Sequence, residues 1–148
     1  MKKIAALLCV ALCLFLTGCG NGFARIEYND NRKIASGDRY ASSMTMLSYN
    51  NKNCSFEAGK FDGRQTMWSY TAKEEELIEV SVSLNAVEGS AKVVFVDARG
   101  NVETLAEFSG ENLVGQKSKK VTLTKGTNNF KIVGYDCQDV QLSMSFEF

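Results

Sequence analysis

The chain has 148 residues with 17 basic and 17 acidic side chains, so its formal net charge is zero, and it contains neither histidine nor proline. The absence of histidine excludes Ser-His-Asp and Cys-His catalysis and most zinc sites, and the balanced charge argues against a nucleic-acid partner. This length is enough for one domain with a sizeable core.

The N-terminus predicts an export signal. Lys2 and Lys3 form a short positive region ahead of a nearly unbroken apolar run, Ile4 to Leu16. This run is shorter than the about 20 apolar residues that span a bilayer, and its length is typical of a signal peptide. It ends in Leu16-Thr17-Gly18-Cys19, which resembles the lipobox of bacterial lipoproteins.

The resemblance to bacterial lipoproteins implies a lipid anchor and a location. Residues 1–18 would be removed as the signal peptide, the thiol of Cys19 would carry a diacylglycerol, and residues 19–22 would form a lipid-anchored tether. Residues 23–148 would then be a single extracytoplasmic domain held at a bacterial membrane, because several acyl chains anchor a protein stably. An ordinary signal peptide with an incidental cysteine is the alternative.

Two cysteines remain in the expected domain, because Cys9 and Cys13 lie in the signal and Cys19 is the expected lipid site. An exported domain with two cysteines allows one pairing, so we predict a disulfide between Cys54 and Cys137. Two separate buried thiols are the alternative.

The first elements after the tether are weakly marked. Residues 23–28 predict an edge strand that ends at Asn29-Asp30-Asn31. Residues 33–40 predict a polar connection with a turn signal at Ser36-Gly37-Asp38. From Ser42 onward, apolar and polar residues alternate with a period of two.

This alternation is the main signal for the fold class. It is strict over residues 78–86, and helical spacing cannot reproduce it. Turn signals at 62–63 and 99–101 separate such runs, and residues 109–120 form the longest polar interruption. We therefore predict an all-β fold, an antiparallel β-sandwich of about 8–10 short strands.

The C-terminal part of the chain carries a second resemblance. Residues 121–134 read Val-Thr-Leu-Thr-Lys-Gly-Thr-Asn-Asn-Phe-Lys-Ile-Val-Gly and precede an alternating last strand. This pattern is similar to the end of jelly-roll domains of the carbohydrate-binding-module kind. The resemblance implies a jelly-roll-like sandwich and assigns no functional residue.

Aromatic side chains are the candidate ligand-binding residues, because a flat ring can stack on the apolar face of a sugar. Trp68 and Tyr70 are the first candidates. They share a strand face with Thr66, and this position also fits a place in the core. The other candidates lie near predicted turns, where exposure and a binding rim are expected. They are Tyr40, Tyr49, Phe61 and Tyr135. Simple packing of these loops is the alternative.

Two surfaces of the predicted sandwich are candidate sites for binding a partner. Val94 and Val96 face away from the core if Val93 and Phe95 face it, so either a further layer covers them or they form an exposed apolar strip. Polar positions on neighbouring strands predict a flat outer face that either binds a polymer or is plain solvent surface. These positions are Ser81, Ser83, Asn85, Thr122, Thr124, Gln141, Ser143 and Ser145.

The sequence offers no catalytic or metal-binding constellation. It contains neither a nucleophile elbow nor a phosphate-binding glycine loop, and the acidic run at 73–76 and the pair Asp136 and Asp139 lack ligand spacing. We expect no enzyme activity, no cofactor and no metal. The hypothesis is a non-catalytic binding module for a glycan or cell-envelope polymer, linked to the membrane through Cys19. The alternative is a protein–protein interaction or structural subunit of an envelope assembly.

Overall fold

The computed structural model describes residues 22–110 and 114–148, so the predicted signal peptide (1–18) and Cys19 lie outside the described residues. Two short helices come first, α1 (Gly22–Glu27) and α2 (Asn31–Ala35). Seven strands follow within the described residues: β1 (Arg39–Tyr49), β2 (Asn53–Ala72), β3 (Glu76–Asn85), β4 (Glu88–Val96), β5 (Val102–Ser109), β6 (Val114–Leu123) and β7 (Gly126–Glu147). No helix in these two ranges is long and apolar enough to cross a membrane.

The predicted edge strand at 23–28 is wrong, because α1 occupies residues 22–27 and Tyr28 lies in the turn that follows. Ala24 and Tyr28 are four positions apart, so a helical turn places both against the sheet, where they are 1% and 5% exposed. Asp30 then caps α2, since its side chain accepts hydrogen bonds from the N–H groups of Arg32 (3.0 Å) and Lys33 (3.2 Å).

β2 and β7 form the antiparallel ladder on which the sheet is built. They pair from Asn53 with Ser145 to Ala72 with Gly126. On its other edge, β7 pairs with β4 through residues 129–138 and with β3 through residues 141–147. β1 extends the sheet beside β2, β6 pairs with β3, and β5 pairs with β4, all in antiparallel orientation.

The ladder folds over on itself, so that its two halves form opposite layers. Phe130 and Phe146 are sixteen positions apart on β7, yet their ring centroids lie 5.0 Å apart. The first layer contains β1, β3 and β6 with the N-terminal half of β2 and the C-terminal half of β7, and the second contains β4 and β5 with the other halves. The predicted all-β antiparallel sandwich is confirmed.

The two long strands each take the place of two short predicted ones, so the described residues hold seven strands. The signal at Asp62-Gly63 marks a bulge in β2, not a turn, because the register shifts between Phe61 and Gly63. Gly63 has a φ of 112°, and a Cβ at this position would collide with the backbone of Arg39. Within the predicted polar interruption, residues 114–120 belong to β6.

α1 and α2 cover the outer face of the second layer. Val94 and Val96 on β4 are 0% and 2% exposed, and they pack in one apolar cluster with Val133, Tyr28 and Ile34. The interpretation that a further layer covers these valines is therefore confirmed, and they do not form an exposed apolar strip.

The predicted Cys54–Cys137 disulfide is wrong, because both thiols are free and buried. Cys54 is opposite Met144, whereas Cys137 is opposite Phe61. Seven positions of β2, roughly 23 Å of strand, therefore separate them, and a disulfide needs Cα atoms about 4.4–6.8 Å apart. Burial raises the pKa of Cys54 to about 11 and that of Cys137 to about 12, so both thiols stay protonated at neutral pH.

Candidate binding groove

A groove with a volume of about 830 Å³ opens at one edge of the sandwich. It is lined by Leu47 and Tyr49 of β1, the turn residues 50–52, residues 66–70 of β2, and Phe148. The lining residues come from both layers, because β2 folds over and brings its C-terminal half opposite the turn that joins it to β1.

Stacked aromatic rings form one wall of the groove. The Trp68 indole stacks on Phe146, with ring centroids 3.9 Å apart, and on Tyr70, at 5.7 Å. The Phe148 ring lies 5.0 Å from Tyr70 and extends the wall outward. Trp68 is 7% exposed and Phe148 is 52% exposed, so Trp68 supports the wall from the core while Tyr70 and Phe148 present it to solvent.

The turn between β1 and β2 forms the opposite, polar rim. The Asn50 side chain accepts hydrogen bonds from the N–H groups of Lys52 (2.8 Å) and Asn53 (2.9 Å). The backbone carbonyl of Asn50 accepts a hydrogen bond from Nε1–H of Trp68 at 3.0 Å. These bonds fix the turn against the aromatic wall, while Asn51 and Lys52 remain exposed at the rim.

The β2 side of the groove is tied to the N-terminal part of the chain. Asp38 accepts hydrogen bonds from the N–H (2.9 Å) and the hydroxyl (2.8 Å) of Thr66, and it pairs with the Lys131 ammonium at 3.1 Å. The Lys131 side chain is 3% exposed and that of Asp38 is 35% exposed, so a buried ammonium meets a partly hydrated carboxylate, and this charge-assisted contact holds Thr66 in place.

This arrangement suits a ligand with apolar faces and hydroxyl groups. The rings offer flat apolar surface, and the side chains of Asn51, Lys52 and Ser69 offer hydrogen bonds. The volume falls in the range of about 300–1,000 Å³ that small-molecule sites occupy. None of the residues that line the groove is Asp or Glu. In the described parts of the chain, no group of three His, Cys, Asp or Glu side chains could hold a metal ion.

Three of the predicted ligand-binding residues, Tyr49, Trp68 and Tyr70, line the groove. Tyr49 is 68% exposed, as expected next to a turn. Trp68 belongs to the core, in agreement with its position in the alternating pattern of β2. The sequence interpretation missed Leu47 and Phe148. Both positions carried a signal, because Leu47 precedes Tyr49 by two residues on the same strand face and Phe148 continues the alternating sequence of β7 by one residue.

The remaining three predicted residues lie outside the groove. Phe61 is 0% exposed, so the expectation of an exposed loop aromatic is wrong there, because the neighbouring glycine forms a bulge within β2. Tyr40 is 47% exposed and stacks on Phe61 at 6.3 Å. Tyr135 packs edge-on against Tyr28 at 5.0 Å, with the Arg25 guanidinium 4.9 Å from its ring centroid.

The predicted flat polar face is the outer surface of the first layer, called here the serine face. Its aligned rows are Ser55–Ser143–Ser83 and Ser145–Ser81–Ser118. Thr124, which was expected on this face, is instead buried at 7% exposure, because its hydroxyl accepts a hydrogen bond from the Ala98 N–H at 3.0 Å. The serine face and the helices therefore lie on opposite outer surfaces of the sandwich.

The strands and the groove define the class of protein: an all-β antiparallel sandwich with an aromatic groove at one open edge. No protein-family model and no curated protein matches the chain. Among solved structures, it is similar to a carbohydrate binding module from Cellvibrio mixtus lichenase 5A in complex with cellotriose, at 10% identity and a TM-score of 0.38, over 78% of this chain and 94% of that chain. It is also similar to a family 35 carbohydrate binding module from Clostridium thermocellum, at 12% identity and a TM-score of 0.33, over 76% and 94% of the two chains.

Proposed function

We propose that the protein is a lipid-anchored, extracytoplasmic module that binds a glycan of the cell envelope without catalysis, in the groove between Tyr49 and Tyr70. The observation that carries this proposal is the groove itself, in which exposed aromatic rings face a rim of amide and ammonium groups. A pyranose ring has an apolar face that stacks on an aromatic ring and an equatorial belt of hydroxyls that such polar groups bind.

Two features favour this function over the alternatives. The alternative of a protein–protein interaction subunit predicted an exposed apolar strip at the valines of β4, but the helices bury Val94 and Val96. A glycoside hydrolase would use two carboxylates beside the sugar, but the groove lining contains none. The lipid anchor is supported by the lipobox that ends at Cys19, and it would hold the groove in the envelope where such polymers occur.

Tyr49→Ala and Tyr70→Ala are each expected to weaken glycan binding by roughly five- to tenfold, because each removes one stacking surface worth about 1 kcal/mol. The measurement is calorimetric titration with soluble fragments of cell-envelope polysaccharide, chosen from a glycan array. Tyr40→Ala is the matched control, since Tyr40 is also exposed but lies outside the groove, and it should bind as the wild type does. An array that stays blank, or an equal loss in Tyr40→Ala, would contradict the proposal.

Cys19→Ser is expected to move the protein from the membrane fraction to the soluble extracytoplasmic fraction, because the thioether to the lipid can no longer form. Cell fractionation measures this change, and mass spectrometry of the N-terminal peptide shows whether Cys19 carries acyl chains. Cys13→Ser is the control, since it removes a thiol from the predicted signal peptide and leaves the lipobox intact. A wild-type N-terminus without acyl chains would refute the anchor.

A further inference from the structure

The N-terminal cap, defined as residues 22–38, is clamped to the outer face of the second layer. Glu27 pairs with Arg64 of β2, and the two side chains are 13% and 8% exposed. The Tyr28 hydroxyl donates to the Glu107 carboxylate at 2.9 Å, and burial raises the pKa of Tyr28 so that it remains a donor. The cap is therefore fixed to the sheet through partly buried polar contacts.

Apolar packing fixes the cap further. Ile34 of α2 is 0% exposed and lies in the apolar cluster with Tyr28, Val94 and Val96. At the end of the cap, Asp38 pairs with Lys131. Because contacts occur near both ends and in the middle of the cap, it cannot act as a flexible leader between the domain and its anchor.

The proposed lipid site lies close to this cap in the sequence. Two residues separate Cys19 from Gly22, the first residue of α1, and three extended Cα steps span at most about 11 Å. The inference below rests on the proposed lipid at Cys19. With such a short connection to a clamped cap, the lipid places the cap beside the bilayer.

The outward surface of the cap fits an anionic bilayer. Ile26 is 81% exposed, because it lies on the side of α1 opposite the buried Ala24. Arg32 and Lys33 of α2 are exposed beside the buried Ile34. One apolar side chain and two cations of the cap are therefore exposed to solvent.

The cap contains three carboxylates, and two of them pair with cations of the sheet and not with Arg32 or Lys33. Glu27 and Asp38 pair with Arg64 and Lys131 of the sheet, so their charges are largely compensated within the protein. The third carboxylate, Asp30, is exposed and accepts hydrogen bonds from the first N–H groups of α2, so it keeps its charge and offsets one of the two exposed cations, Arg32 and Lys33. Anionic headgroups are thus the partner that the charge on the outer surface favours.

We propose that the cap lies flat against an anionic phospholipid surface, with Ile26 in the interface and with Arg32 and Lys33 at the headgroups. The domain then has one fixed orientation. The serine face points away from the membrane, because it is the opposite outer surface of the sandwich, and the groove opens at the side. In this orientation the groove can accept a polymer that runs along the membrane surface.

The orientation is tested with lipidated protein in vesicles of phosphatidylglycerol and brominated phosphatidylcholine, which quenches nearby tryptophan. Trp68 is the one tryptophan of the chain and is buried, so it contributes the same background fluorescence to both variants, and the difference between them reports the added tryptophan. Ile26→Trp should be quenched roughly threefold more than Leu77→Trp, an equally simple change at a 61% exposed residue on the outer face of β3. Equal quenching at both positions, or stronger quenching at Leu77→Trp, would overturn the orientation.

The charge contribution is tested with a paired substitution. Arg32→Glu with Lys33→Glu, in the Ile26→Trp protein, should reduce the quenching in phosphatidylglycerol vesicles and leave it unchanged in neutral vesicles. Lys73→Glu with Lys125→Glu is the matched control at exposed positions outside the cap. Unchanged quenching in the charge-reversed cap would overturn the role of anionic lipid. Mass spectrometry of each sample verifies that the lipid is present, and glycan titration of the same variants should give the wild-type affinity. These two controls separate a failure of the orientation from a failure of the anchor or of the groove.

Discussion

Trp68→Ala is expected to lower the free energy of unfolding by about 3–5 kcal/mol, the range for removing a large buried aromatic side chain. Trp68 is 7% exposed and stacks on Phe146, which belongs to the opposite layer of the sandwich. It also donates to the Asn50 carbonyl, so its loss leaves the turn between β1 and β2 without its tie to the wall. Urea unfolding followed by far-ultraviolet circular dichroism measures the change, because the variant has no tryptophan fluorescence.

Two variants separate packing from the hydrogen bond. Trp68→Phe keeps an aromatic ring and loses the Nε1–H donor, so we expect a loss of about 1–2 kcal/mol. Phe148→Ala removes a 52% exposed ring from the same wall and should cost less than about 1 kcal/mol. If Trp68→Ala were no more destabilising than Phe148→Ala, Trp68 would not join the two layers. Because Trp68 both supports the fold and forms part of the groove, binding is better tested at Tyr49 and Tyr70.

The sandwich could be predicted because one face of each core strand meets the core and the other meets water. Residues 78–86 show this directly, and β3 covers Glu76–Asn85 with alternating burial. The length of β2 and β7 could not be predicted in this way. A glycine such as Gly63 marks either a turn or a bulge, and only the pairing of the neighbouring strands decides which.

The candidate groove was predicted only in part, because its two sides come from positions distant in sequence. Tyr49 was identified from the turn that follows it, but its proximity to Tyr70 depends on how β2 folds over. The thiols show the same limit, since counting cysteines does not reveal that seven ladder positions separate Cys54 from Cys137. The helix at 22–27 is only 6 residues long, so packing against the sheet, and not local propensity, forms it.

Glu27→Gln is expected to lower the free energy of unfolding by about 3 kcal/mol, because it leaves the buried guanidinium of Arg64 without its carboxylate. Glutamine has nearly the same shape as glutamate, so packing changes little and the loss reports the charge. Arg64 is 7% exposed, and its remaining hydrogen bond to the Gly37 carbonyl, at 2.8 Å, does not neutralise it. Urea unfolding of the variant and the wild type measures the difference.

A second cation and a double substitution test this interpretation. Arg39 also contacts Glu27, at 3.2 Å, but its side chain is 57% exposed, so Arg39→Gln should cost less than about 1 kcal/mol. Adding Arg64→Met to Glu27→Gln removes the uncompensated charge and should restore most of the lost stability, because a buried ion pair can be replaced by apolar packing at little cost. Equal losses for Glu27→Gln and Arg39→Gln would mean that solvent reaches the Arg64 guanidinium, and the cap would then be held by its other contacts, those of Tyr28, Ile34 and Asp38 among them.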